Sequence, residues 1–146
     1  MAEQVMQTVI VKGSPTAIYD LWADFENFPH FMEYVRSVKK SDATHSEWVV
    51  EGPLGSSVTW NAEMTRGERG KRIAWSSKDH DGTVTTSGQV TFNEMSHGQT
   101  EVTVLLQYTA PGGKLGALVA ELFSDPESRL ERDLRNFKKF AEGRAQ

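Results

Sequence analysis

The chain contains no cysteine, which excludes disulfides, thiolate metal sites and cysteine nucleophiles. Long apolar runs are missing too: no stretch approaches the roughly 20 residues a membrane-spanning helix needs. Basic excess is also lacking, with 16 Lys and Arg against 20 Asp and Glu and a net charge of -4. That balance argues against a nucleic-acid partner, because phosphate binding begins with a basic surface. The first residues, MAEQVMQTVIVKGS, have neither a basic segment nor a long apolar core of signal type, so they read as mature protein with a cytoplasmic location. His30, His45, His80 and His97 do not pair at metal-ligand spacing, and neither a metal nor a cofactor is expected.

What is present suits a globular domain: 38% hydrophobic and 25% charged residues in 146. That length fits one domain over 1–146, able to bury roughly 68–70% of its unfolded surface. Residues 4–12 alternate as a strand. Ser14-Pro15 supplies an N-cap and a first-turn proline, and Ile18, Leu21 and Trp22 follow at helical spacing to about Asp24. The stretch DFENFPHFMEYVRSV (24–38) crowds Phe25, Phe28, Phe31, Met32 and Tyr34 around Pro29, a second short helical turn. Strands are then predicted over 34–40, 45–51, 57–66, 71–78, 83–93 and 99–109. Between them lie turn signals at Ser41-Asp42, Gly52-Pro53, Gly67 with Gly70, Asp81-Gly82 and His97-Gly98. Past Pro111-Gly112-Gly113 the period becomes helical: Leu115, Val119, Leu122, Leu130, Leu134, Phe137 and Ala141 form one stripe, with Pro126 kinking or restarting the helix.

Side chains alternate along a strand, so Val58, Trp60, Ala62 and Met64 share a face opposite Asn61 and Glu63. Val102, Val104, Leu106 and Tyr108 share another, and Ile73 with Trp75 and Val90 with Phe92 continue it. A helix about 10–12 Å across cannot cover six or seven strands spaced about 4.8 Å apart. Either side chains fill the concavity or an apolar cavity remains; Gly88 and Ala62, among Trp60, Trp75 and Tyr108, favour retained volume. Arg36 shares a face with Tyr34 and Val38 by alternation. Inward it would hold a ligand carboxylate or carbonyl, and outward it is an ordinary solvent-facing or ion-paired residue.

The segments GSPTAIYDLWADFENFPHFMEYVRSV (13–38), VTWNAEMTR (58–66), RIAWSS (72–77), SGQVTF (87–92), TEVTVLLQYTAPGGKLG (100–116) and DLRNFKKFAE (133–142) occur in the order of a known family. Through them the chain resembles the START-like superfamily, in its bacterial polyketide cyclase/dehydrase and coenzyme Q-binding-like branch. The resemblance implies an α+β helix-grip fold: about seven curved antiparallel strands around a long C-terminal helix, with two short helices after the first strand. It also implies an internal cavity for lipids, steroids, polyketides or isoprenoid quinones. Phe28 and Phe31 match the short second helix and are placed nearest the cavity mouth. With them, the ligand-binding set is Arg36, Trp60, Met64, Trp75 and Tyr108 from the sheet and Leu115, Val119 and Leu122 from the helix.

No nucleophile, base or acid pair stands at workable spacing, so no catalytic residue is assigned; His30 is the one proton carrier near the mouth. The leading expectation is a non-enzymatic binding or carrier module for a hydrophobic small molecule. One alternative is a polyketide cyclase, aromatase or dehydrase that works mainly by positioning its substrate. Another is a protein-interaction module with an apolar groove. Arg129, Arg132, Arg135, Lys138 and Lys139 read as the solvated face of the last helix, with docking to a membrane or protein surface a minor alternative.

Overall fold

A computed structural model describes residues 2–32, 35–51, 57–79, 85–109 and 126–143. Strand β1 (Ala2–Lys12) leads into helix α1 (Pro15–Ala23) and a 3₁₀ helix (Phe25–His30). Six strands follow: β2 (Val35–Lys40), β3 (His45–Glu51), β4 (Ser57–Glu68), β5 (Arg72–Asp79), β6 (Thr85–Met95) and β7 (Gln99–Thr109). Helix α2 (Pro126–Glu142) comes last. The seven strands form one antiparallel sheet in the order β1-β7-β6-β5-β4-β3-β2. This is the helix-grip architecture expected from the sequence.

Local chemistry explains the pieces. Ser14 caps α1 by accepting the Ala17 N–H at 3.2 Å, and Pro15 occupies the first turn, where its missing N–H costs nothing. The β6–β7 turn places His97 and Gly98 both at positive φ (64° and 70°), a conformation that suits a tight hairpin. On the inner face of β1, β7, β6 and β5 lie Val5, Val11, Val102, Val104, Val90, Phe92 and Ile73, all buried. Against them α2 presses Leu130, Leu134, Phe137 and Ala141, the stripe read from its period. The outer face is polar: Thr8 and Thr103 hydroxyls meet at 3.1 Å, and the Gln107 amide donates to Gln4 at 3.2 Å.

Two bulges break the alternation. One, between Met64 and Arg66, moves the inward set of β4 from Ala62 and Met64 to Gly67, where an added Cβ would meet the Met64 Sδ at 2.9 Å. The other, between Val35 and Ser37, leaves Arg36 as the extra residue. Simple alternation put Arg36 beside Val38 on one face. The bulge instead leaves Val38 buried and Arg36 exposed, off the face that counting in twos gave it.

Candidate functional site

Beside α1 and β3 the 3₁₀ helix delivers its aromatics into the core. Trp22, 1% exposed, is the hub of this cluster. Its ring centroid lies 5.2 Å from Phe28, 5.8 Å from Phe31 and 4.9 Å from Phe137 of α2. Phe28 in turn meets Phe25 at 5.4 Å and Trp48 of β3 at 4.8 Å, with the rings close to perpendicular. Edge-to-face pairs of this kind add about 0.5–1.5 kcal/mol each beyond simple burial. Among the described residues the Trp22 N–H has no hydrogen-bond partner. The groups around it are the rings of Phe28, Phe31 and Phe137, whose π-faces are weak acceptors.

Phe28 and Phe31, expected beside a mouth, are buried core, Phe28 packing on Trp22 and Trp48 and Phe31 on Phe137 and Phe140 of α2. The crowding of aromatics in residues 24–38 has its physical reason here. A short helix without a continuous apolar stripe is held by rings that between them reach α1, β3 and α2. Two further contacts fasten it to α2: the Asn136 amide donates to the Phe31 carbonyl at 3.2 Å, and His30 stacks flat on Phe140 at 5.7 Å and 9°. His30 is exposed.

Away from that cluster the inner face changes character. Met64, Trp75, Gly88 and Leu106 stand in register across β4, β5, β6 and β7, and all four are half-buried. Met64 and Trp75 pack against the core on one side. Gly88 does not mark retained volume as its size suggested. A Cβ there would lie 2.7 Å from the Trp75 ring and 2.6 Å from the Leu105 carbonyl oxygen, so the indole itself fills the space. Ala62 is buried beside this row.

Trp48 is half-buried against Phe25 and Phe28, and its N–H donates to the buried Ser46 hydroxyl at 2.8 Å. The signal in the sequence was the two-residue spacing of Ser46 and Trp48, once β3 is registered so that Trp48 opposes Trp60. Trp60 also opposes Asp79 of β5, and Tyr108 stands between Glu3 and Thr86 in the register. Tyr34, Leu115, Val119 and Leu122, with the turns at Gly52-Pro53, Asp81-Gly82 and Pro111-Gly112-Gly113, lie outside the described residues.

A family model described as polyketide cyclase/dehydrase and lipid transport matches residues 11–135. The chain belongs to that family. An uncharacterised 17.2 kDa protein of Streptomyces lincolnensis is 30% identical over 128 residues, covering 88% of this chain and 82% of its own. Among solved structures, a Deinococcus radiodurans protein is 34% identical with a TM-score of 0.74, covering 96% of this chain and 97% of its own. The Zhui aromatase/cyclase of Streptomyces sp. R1128 superimposes with a TM-score of 0.80 over 100% of this chain and 97% of its own, at 14% identity. A START superfamily protein of Mycobacterium smegmatis gives a TM-score of 0.65 at 18% identity, covering 97% and 96%. The last two likenesses are of fold. Membership of the polyketide cyclase/dehydrase and lipid transport family, with the helix-grip fold, points to hydrophobic-ligand binding or a polyketide cyclase-type function. Among the described residues no helix is long and apolar enough to cross a membrane, and no cluster of His, Asp and Glu could hold a metal ion.

Proposed function

We propose that the protein is a binding or carrier module for one hydrophobic small molecule of lipid, polyketide or isoprenoid-quinone type, held between the inner sheet face and the C-terminal helical segment, with the chain acting as one domain. The observation that carries this reading is the half-buried row Met64, Trp75 and Leu106, apolar side chains on the inner face of a sheet whose neighbouring inner residues are fully buried. Apolar surface left partly uncovered inside a grip gains about 25 cal/mol per Å² when a ligand removes it from water. Trp60 and Tyr108, placed on the same face by sequence alternation, extend the wall. Leu115, Val119 and Leu122 supply the opposing surface. Phe28 and Phe31 act through the aromatic floor they build, and Arg36 stands at the β2 edge, where it would meet a polar end of the ligand.

Two hydroxyls on the inner face serve the fold: Ser46 accepts from Trp48, and Thr100 donates to the Gly13 carbonyl at 2.8 Å. This supports binding over acid–base chemistry. The test is a fluorescence titration of wild type, Trp75→Phe and Trp60→Phe with quinones, steroids and aromatic polyketides. Saturable one-to-one quenching in wild type, much reduced in at least one of the variants, is the expected result. No saturable response across so broad a panel would overturn the reading.

A further inference from the structure

Among the described residues strand β1 has a sheet neighbour on one side only, β7. In an antiparallel pair alternate residues turn their N–H and C=O toward the partner, and the others turn theirs outward. Ile10 and Lys12 belong to the outward set, and side chains of α2 hold their outward groups. Lys138 Nζ donates to the Ile10 carbonyl at 2.6 Å, and the Lys12 N–H donates to Glu142 Oε2 at 3.0 Å. Lys138 and Glu142 also pair with each other at 3.1 Å, one helical turn apart. An acceptor and, two residues on, a donor are what an adjoining strand would engage. The last turn of α2 thus stands where a strand residue would.

Gln4, Met6 and Thr8 share the outward set by the two-residue period, and none carries a charge. Met6 and Ile10 are the large hydrophobics exposed among the described residues, at 62% and 37%. A long edge with neutral and apolar side chains is a template for another strand. The strand that fits it best is itself. With Thr8 on a two-fold axis, antiparallel pairing sets Met6 against Ile10 of the second copy, twice, and Gln4 against Lys12, with no like charges opposed. That register needs the outward groups of Ile10 and Lys12, which the helix holds.

We propose that the Lys138–Glu142 pair is an edge cap that keeps β1 from pairing with β1 of a second copy of this chain. Exchanging the two charges, Lys138→Glu with Glu142→Lys, keeps an opposite pair one turn apart. It leaves the Ile10 carbonyl without its donor and the Lys12 N–H without its acceptor. Light scattering across a concentration series is expected to give the mass of one chain for wild type and a doubled mass for the exchanged protein. Adding Met6→Lys, which sets a charge against the apolar Ile10, returns the exchanged protein to one chain. A folded exchanged protein that stays at one chain overturns the proposal. So does a dimer indifferent to Met6→Lys, or a wild type that is itself dimeric. Should the exchanged protein not fold, amide exchange in wild type decides the matter. The Lys12 amide is expected to be protected relative to those of Met6 and Thr8, and equal, fast exchange at all three overturns the cap.

Discussion

Gly88 and Trp75 behave as one unit. The glycine is small because its neighbour is large, and a methyl group at position 88 would have to displace an indole wedged against a backbone carbonyl. Gly88→Ala is expected to cost about 1–3 kcal/mol, as overpacking does, and to change the Trp75 emission spectrum; chemical denaturation and fluorescence check both. Sequence gave the right face for Trp75 and the wrong meaning for Gly88. Alternation says where a side chain points but not which neighbour fills the space beside it.

Asp42 and His45, in the turn between β2 and β3, make a second residue-scale pair. Hydrogen bonds from the Thr44 N–H, then from the His45 side chain and N–H, pull the Asp42 carboxyl down to about 2 from 3.8. Its contact with Asp42 at 3.0 Å raises His45 above its ordinary 6.5, with Glu63 at 3.8 Å adding a little. A lowered acid contributes above its unfolded value and loses that contribution as pH falls toward 2. A raised base contributes below its unfolded value and loses that as pH rises through its folded value. The turn is therefore held best between roughly 4 and 6.5. In an NMR titration Asp42→Asn is expected to lower the His45 midpoint; an unchanged midpoint would show that the contact is not made in solution.

At the scale of elements, the strands were legible nearly residue by residue, because turn residues separate them and one face of each is apolar. The misses sit at bulges. Counting in twos sets Arg36 on the face of Val38, and an extra residue in β2 makes that count fail. Helix α2 shows the opposite case: its stripe of Leu130, Leu134, Phe137 and Ala141 needed only the period to be seen. Leu134→Ala is expected to cost about 2–5 kcal/mol and Phe137→Ala about 3–5 kcal/mol, read from denaturation midpoints. The β6–β7 turn predicts a gain instead. His97 sits at φ 64°, where asparagine is more comfortable, so His97→Asn is expected to raise stability by a few tenths to about 1 kcal/mol.

For the molecule as a whole, the sequence carried the fold and the apolar inner face, but not the aromatic hub around Trp22. Trp22, Phe28, Trp48 and Phe137 come from four separate elements, and no local pattern announces that they meet. The pairing of the first strand has a bearing on synthesis. Ala2 opposes Thr109 and Lys12 opposes Gln99, so β1 is made long before β7, its sheet neighbour among the described residues. Trp22 likewise awaits Phe137. Contacts so distant in sequence close slowly. Until β7 is made, β1 thus lacks the neighbour it pairs with among the described residues, and a nascent chain halted before β7 would be a natural client for chaperones.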